Sequence, residues 1–443
     1  MRNLKVLDCT IRDGGYWTGW EFDRDMVRDT VSALVDSGVD IIELGYKSPL
    51  KGGKWRKTND GFVSSVVGDL CKSVDFAFML DLKEFSDEGG ELVESRVLEC
   101  VKPASTSPFS VCRIAIMPTM EDADKASILV EIVRDLGYRC MVNVMQCHKL
   151  ATEHDLRADV VSRLQLLDLE ATYFADSFGS CTPDMAKTLV KSTYGATGVH
   201  FHDNLGLAFA NSITAYEAGC SHIDATVTGM GRGVGNTKME QLLTYLESTS
   251  SSSGKSNSLH GVIAKHFSKP TWGYSESYMV SGILEIHPTY VQTLEKHGYS
   301  SKQIQEILPI LKGESKFESD NLARVLGKLD FADRVACVIP ARYKSSRFPG
   351  KPLALINGIP MIVRVAKAAA SAMGGLHRVY VATENPEIQS VVEDWGYRCV
   401  MTSDTCLTGT DRVAEAALEI DADYFVNIQG DEPMVDPEDI KNV

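Results

Sequence analysis

Short apolar runs alternate with amphipathic segments over residues 4–246. The apolar runs are LKVLDCT, VDIIELG, VDFAFML, SVCRIAIM, RCMVNVM, ATYFADS, GVHFHDN and HIDATVTG. Runs of this length bounded by turn formers predict strands. Between them, stretches such as DRDMVRDTVSALVDSG and TPDMAKTLVKSTYG carry apolar residues at helical spacing and end in Gly or a turn. The fourth strand is the least distinct, because 84–110 is long and contains Ser and Pro. Eight strands alternating with helices predict an α/β fold, a (β/α)₈ TIM barrel over 1–250. A doubly wound open sheet is the structural alternative.

The pattern then breaks twice. SSSSGKSNS at 250–258 is a polar interruption, and 251–330 reads as a mostly helical extension and linker of the barrel, as in HPTYVQTLEKHGYSSKQIQEILPIL. Near 333 a strand, a basic glycine-containing loop and a helix follow one another in RVACVIPARYKSSRFPGKPLALINGIPMIVRVAKAAASA. HRVYVATEN and DADYFVNIQGDEP add two further strands. This predicts a partial Rossmann-like α/β domain from 334 to 443. It is expected to be the N-terminal part of such a domain, since sheets of this type carry more strands and a lid.

A length of 443 residues suits two or three domains. The composition is that of an ordinary soluble globular protein. A formal charge of −15 with no basic face argues against nucleic acid as a partner, though not against a single nucleotide. Eleven cysteines without a CxxC pair suggest neither a zinc knuckle nor a disulfide framework, and are expected to be reduced thiols of a cytoplasmic protein. Cys112 and Cys140 read as small core residues. No signal peptide and no run of membrane-spanning length is apparent, so membrane insertion is not expected. A homo-oligomer is expected.

The candidate chemistry starts in VHFHDNLGLAFAN. His200 and His202 are two apart, so on a strand both imidazoles look into one space. They suit a divalent cation, although two polar residues ending a strand would have the same spacing. In a parallel barrel, functional residues gather where strands end. Arg12 and Asp13 follow strand 1, Glu43 ends strand 2, Asp176 and Ser177 end strand 6, and the loop Gly229–Asn236 follows strand 8. Asp13, His200 and His202 make a two-His, one-carboxylate set that suits Mn²⁺, Mg²⁺ or Zn²⁺, with Mn²⁺ and Mg²⁺ favoured, and Asn236 could add an oxygen. A 2-keto acid could chelate such a metal, and Arg12 could hold its carboxylate or an enolate oxygen. Arg232 either binds a substrate anion or ties down its loop. Asp176 reads as a cap near the site.

LDCTIRDGGY, IELGYKS, FADSFGSCTP, HFHDNLGLAFAN and GMGRGVGNTKME resemble the DRE-TIM metallolyases, which include 4-hydroxy-2-oxovalerate aldolase, HMG-CoA lyase and the isopropylmalate and homocitrate synthases. The resemblance covers about 1–250. It implies metal ligation by Asp13, His200 and His202, with Asn236 as a further ligand, a catalytic role for Arg12 and a supporting one for Glu43. The loop after strand 8 lacks the cysteine of HMG-CoA lyases. The histidine that hydroxy-oxovalerate aldolases carry just after the Arg–Asp pair is replaced by Gly-Gly-Tyr-Trp-Thr. Tyr16 and His287 are the candidates for the missing base, and interhelical packing is the simpler reading of His287.

In the second domain, VIPARYKSSRFPGKPL sets Arg342, Arg347 and Lys351 around a strand-to-helix turn, where backbone N–H groups and cations can meet a triphosphate. Walker spacing is absent. Asp431 in IQGDEP ends a strand, a suitable place for a Mg²⁺-binding carboxylate. VIPARYKSSRFPGKPLALINGIPMI, VYVATEN, GTDRVAEAA and NIQGDEPMV resemble the 3-deoxy-manno-octulosonate (Kdo) cytidylyltransferases. The resemblance implies that Arg342 and Lys351 contact CTP phosphates, that Thr408–Arg412 and Gln429 lie near the nucleotide, and that Asp431 helps hold Mg²⁺. Cys406 stands where the family has a histidine.

Together the two resemblances imply a bifunctional enzyme. A metal-dependent aldolase would join pyruvate, or another 2-keto acid, to an aldehyde. A CTP-dependent transferase would activate the resulting 3-deoxy-2-ulosonic acid for a surface glycan such as lipopolysaccharide. The rival expectations are an acyl-CoA-dependent Claisen condensing enzyme and a barrel kept as a non-catalytic scaffold.

Overall fold

All eight apolar runs form strands: β1 (Lys5–Asp8), β2 (Ile41–Tyr46), β3 (Asp75–Asp81), β4 (Val111–Ile116), β5 (Arg139–Val144), β6 (Ala171–Asp176), β7 (Thr197–Phe201) and β8 (His222–Ala225). Every neighbouring pair is parallel, and β1 pairs with β2 on one side and β8 on the other. The sheet is therefore a closed barrel, which excludes the open-sheet alternative. This computed structural model describes residues 4–50, 52–87, 89–249, 255–268, 272–314, 316–329, 335–344 and 348–443.

Strand alternation explains the closure. Leu7, Ile41, Ala77, Val111, Met141, Ala171 and Tyr173, from β1 to β6, pack together as the barrel filling. Their sequence neighbours Ile42, Phe76, Phe78, Cys112 and Cys140 join the larger core under the surrounding helices. Each such aromatic or branched side chain contributes about 1.5–3 kcal/mol by leaving water. Local caps start the helices. Asp23 accepts from the backbone N–H groups of Asp25 and Met26 at the head of Arg24–Asp36, and Thr182 does so for Met185 in Pro183–Lys191. The long stretch before β4 holds the helix Glu94–Cys100 and two short 3₁₀ turns.

The chain divides into two compact units, Met1–Ile283 and Leu284–Val443. The segment 251–330, expected as one extension of the barrel, is therefore shared out. Helices Leu259–His266 and Glu276–Ile283 belong to the first unit, whereas Thr289–Lys296, Ser301–Ile307 and Ser319–Leu329 belong to the second. His297 shows why: its Nε2 lies 3.0 Å from the Trp395 carbonyl of the α/β unit, and its ring packs edge-on to Tyr397. Of the polar interruption, 250–254 lie outside the described residues, as do 330–334, where the second domain was expected to begin.

The second unit contains β9 (Val335–Pro340), β10 (Leu355–Ile356), β11 (Ile359–Pro360), β12 (Val379–Thr383), β13 (Arg398–Met401) and β14 (Tyr424–Asn427). Four of these make a parallel sheet in the order β13-β12-β9-β14. β10 and β11 form a hairpin whose turn, Asn357-Gly358, has positive φ at both residues, as a tight two-residue connection requires. Among the described residues no helix is long and apolar enough to cross a membrane.

Candidate functional site

The first site lies at the C-terminal ends of the barrel strands. Arg12 and Asp13 sit in the first turn of the helix Thr10–Thr18, directly after β1. Two glycines follow them, and the helix needs both. A Cβ on Gly14 would lie 2.7 Å from Met230 Sδ, and one on Gly15 would lie 2.2 Å from the Trp20 indole. Gly231 is equally constrained, since its Cβ would lie 2.6 Å from both Asp13 Oδ2 and Asn236 Nδ2.

Asp13, His200 and His202 each offer a ligand atom, and the three atoms lie within 4.8 Å of one another. His200 ends β7, and His202 follows it in an isolated bridge to Asn236. Their ring centroids are 5.0 Å apart, as the two-residue spacing requires. Asn236 Nδ2 donates to Asp13 Oδ2 at 2.5 Å. All four side chains, with Arg12, are buried. Burial alone would raise the Asp13 carboxyl, but Arg12, His202 and His200 outweigh it and hold the group well below the usual carboxylate range. Burial drives the His202 imidazole well below its ordinary value, against the nearby Asp13 carboxylate, which raises it.

This donor set fits a divalent cation. It offers a carboxylate and two imidazoles, and the buried Asn236 Oδ1 has no hydrogen-bond partner among the described residues. Asp13, His200 and His202 would hold the ion, with Asn236 adjoining.

Glu43 lies one step back. Its Oε2 accepts from Arg12 Nε and from Arg113 Nη1, both at 2.8 Å. β2 is irregular just beyond it, at Gly45, where a Cβ would lie 1.9 Å from the Trp55 carbonyl oxygen. Asp176 accepts from the backbone N–H groups of Ser180 and Cys181, at 2.9 and 3.0 Å, and so caps the turn after β6. Arg232 donates to the Ser177 carbonyl and lies 5.5 Å above the Tyr16 ring, which ties down its loop. Tyr16 is exposed at the rim, its hydroxyl 3.3 Å from that of Tyr46. Trp17 Nε1 donates to the Gly231 carbonyl at 2.7 Å. His287 belongs to the second unit, where its Nδ1 accepts from Thr289 N at 3.3 Å.

Two site residues escaped the sequence reading: Arg113 on β4 and Asp224 on β8. Arg113 Nη2 donates to Asp224 Oδ2 at 2.7 Å, and that oxygen lies 3.0 Å from His200 Nδ1. The available signal was a charged residue inside each of two apolar runs, SVCRIAIM and HIDATVTG.

The second site is a cavity of about 460 Å³ in the α/β unit, lined by Arg342, Lys351, Cys406, Thr408, Arg412, Gln429 and Asp431 among others. Arg342, Lys351, Gln429 and Asp431 thus line one cavity, with Thr408, Gly409 and Arg412 of the expected Thr408–Arg412 stretch, while Arg347 lies outside the described residues. Lys351 Nζ pairs with Asp431 Oδ2 at 2.7 Å. Thr408 caps the helix Gly409–Ala417 through a reciprocal pair of bonds with Asp411. Arg412 is buried, paired to Glu384 at 2.8 Å and donating to Thr402 Oγ1. Cys406 Sγ donates to Glu415 Oε2 at 2.9 Å. Gly430 brings the backbone close, since its Cβ would lie 2.6 Å from the Pro340 carbonyl oxygen.

Comparison with known proteins agrees with both halves. An HMGL-like family model matches residues 93–260, and a cytidylyltransferase model matches 336–443. The crystal structure of the N-terminal domain of a putative aldolase from Bacteroides vulgatus is 31% identical, covers 68% of this chain and 99% of its own, and superposes with a TM-score of 0.55. The 8-amino-3,8-dideoxy-manno-octulosonate cytidylyltransferase of Shewanella sp. (strain ANA-3) is 50% identical over 112 residues, 25% of this chain and 45% of that protein. The 3-deoxy-manno-octulosonate cytidylyltransferase of Myxococcus xanthus is 53% identical over 105 residues, 24% of this chain and 42% of its own. The chain thus spans less than half the length of these curated relatives. The closed barrel and the parallel sheet of the second unit agree with these matches, and the chain belongs to the HMGL-like family through its barrel and carries a cytidylyltransferase-family domain fused behind it.

Proposed function

We propose that the barrel is a divalent-metal-dependent aldolase acting on a short 2-keto acid such as pyruvate, and that the second domain uses CTP to activate the product. In the first reaction the methyl group of pyruvate loses a proton. The carbon then bonds to the carbonyl carbon of an aldehyde, whose oxygen takes up a proton. With an aldose as the aldehyde, the product is a 3-deoxy-2-ulosonic acid. In the second reaction a hydroxyl of that acid attacks the α-phosphorus of CTP and pyrophosphate leaves. A surface glycan would be the destination of the CMP-linked sugar acid.

The observation that carries the first half is the convergence of Asp13, His200 and His202 within 4.8 Å beside the Arg12 guanidinium. A bound Mn²⁺ or Mg²⁺ would act as a Lewis acid toward a keto oxygen. Arg12 is held by Asp13 at 2.5 Å and Glu43 at 2.8 Å, so its charge is fixed beside that point before substrate arrives. Fixed charges in a dry site cost little reorganisation when negative charge develops on the substrate. Tyr16 at the rim is our candidate for the proton transfer. In the cleft, Arg342 and Lys351 would meet the phosphates, Gln429 and Arg412 the rest of the nucleotide, and Asp431 a Mg²⁺ ion.

The test is proton exchange. Pyruvate with Mn²⁺ or Mg²⁺ in D₂O should lose its methyl signal in the NMR spectrum when the protein is added. Exchange should fall at least about 100-fold in Asp13→Ala and in His200→Ala, beyond the loss expected for a residue that only supports a ligand. Absence of exchange together with CoA release from acetyl-CoA would replace this reading with an acyl-CoA condensation. For the second domain, pyruvate, a panel of aldoses and CTP should give a CMP-linked keto acid by mass spectrometry.

A further inference from the structure

The buried charges behind the ligand set form a closed circuit. From Asp13 it runs to Arg12 at 2.5 Å, from Arg12 to Glu43 at 2.8 Å, and from Glu43 to Arg113 at 2.8 Å. It continues from Arg113 to Asp224 at 2.7 Å and from Asp224 to His200 Nδ1 at 3.0 Å. The circuit closes between His200 Nε2 and Asp13 Oδ2, which are 3.9 Å apart. Charge alternates from Asp13 through Arg12, Glu43 and Arg113 to Asp224, and no member of the circuit is more than about one-twentieth exposed. The widest gap, 3.9 Å, is the one between two candidate ligands of the ion.

We propose that Arg113 and Asp224 are positioning residues for His200: they hold its imidazole with the proton on Nδ1 and turn Nε2 toward Asp13. The chemistry is direct. A carboxylate only accepts, so the imidazole nitrogen facing Asp224 must carry the hydrogen, and the other keeps its lone pair. Cys9 Sγ also lies near that nitrogen, at 3.8 Å, but Asp224 is closer, at 3.0 Å. Arg113 draws Asp224 Oδ2 from the other side, and its guanidinium is in turn seated 4.4 Å from the Tyr173 ring centroid. Arg113 also shares Glu43 with Arg12. One fully buried arginine therefore sets two of the groups around the ion without touching it. Hydrogen-bond partners of ligating imidazoles commonly govern affinity in this way.

This inference rests on the metal reading above, and two measurements separate the failure of one from that of the other. The first needs no metal. In ¹⁵N NMR of the metal-free wild-type protein at neutral pH, His200 should appear as the Nδ1–H tautomer, identified by loss of its signals in His200→Gln. An Nε2–H tautomer would overturn the proposal. The second is titration calorimetry with Mn²⁺. Asp224→Asn keeps shape and volume, and should bind Mn²⁺ about 10–100-fold more weakly than wild type while keeping its thermal transition. Asp224→Glu should recover part of that loss. Equal affinity in wild type and a folded Asp224→Asn would overturn the proposal. If the wild type takes up no Mn²⁺, the metal reading falls, and the tautomer measurement alone decides whether Asp224 orients His200.

Discussion

The barrel mouth and the cleft of the second unit, the proposed nucleotide site, are built in opposite ways. In the mouth, Arg12, Asp13, Glu43, Arg113, His200, His202 and Asp224 are nearly all inaccessible, and each charge is already answered by another. In the cleft, the Lys351–Asp431 pair is open to solvent, with side chains 37% and 57% exposed, and lines a space of about 460 Å³. The lesson is one of scale. A small ion needs a tight, pre-satisfied cage. A nucleotide needs room and cations that solvent can hold until the phosphates arrive.

The comparison can be broken at four points, starting with the largest effect. Arg113→Met leaves Glu43 and Asp224 without their shared cation, and breaking a buried ion pair in this way costs about 3–5 kcal/mol. Chemical denaturation should show that loss; a change below about 1 kcal/mol would mean that the circuit is not the cage inferred from it. Gly231→Ala comes next. Its new Cβ falls 2.6 Å from Asp13 Oδ2 and Asn236 Nδ2, so those groups must move. Overpacking of this kind costs about 1–3 kcal/mol, and Mn²⁺ affinity should fall with it.

The third concerns pH. Burial raises the Asp8 carboxyl from 3.8 to about 7, against two hydrogen bonds from Thr10. Between these values the folded chain holds a proton that the unfolded chain has lost. The stabilisation is therefore fully present below about pH 4 and is lost as pH rises through 7. Asp8→Asn is neutral at every pH. Its melting temperature should gain on the wild type between pH 5 and 8, and a constant difference would show that Asp8 does not titrate there. The smallest effect on stability belongs to the cleft. Lys351→Ala removes a solvent-screened pair and should cost under about 1 kcal/mol, while CTP affinity, read by calorimetry, should drop about tenfold.

How much of this was legible in the chain differs between the two sites. The local motifs VIPARYKSSRFPGKPL, GTDRVAEAA and NIQGDEPMV each send residues to one cavity, among them Arg342, Lys351, Arg412, Gln429 and Asp431. The convergence of Asp13, His200, His202 and Asn236 was legible as well, because each lies near a strand end or in the loop that follows one. Arg113 and Asp224 were not. Each sits among apolar neighbours, Arg113 between Cys112 and Ile114 and Asp224 between Ile223 and Ala225, and periodicity reads such a strand as core. The division of 251–330 between the two units was equally hidden, because an amphipathic helix shows an apolar face without saying what covers it.

The sequence by itself determined the eight strands, the helices between them and the chemistry carried at the strand ends, because these follow from local periodicity and side-chain type. Tertiary structure alone decided that β1 meets β8, that β4 and β8 send an arginine and an aspartate to one point, and that this point lies beside His200. The β1–β8 and Arg113–Asp224 contacts join residues more than a hundred positions apart, and only barrel closure brings them within hydrogen-bond range, where burial makes each charge require its partner.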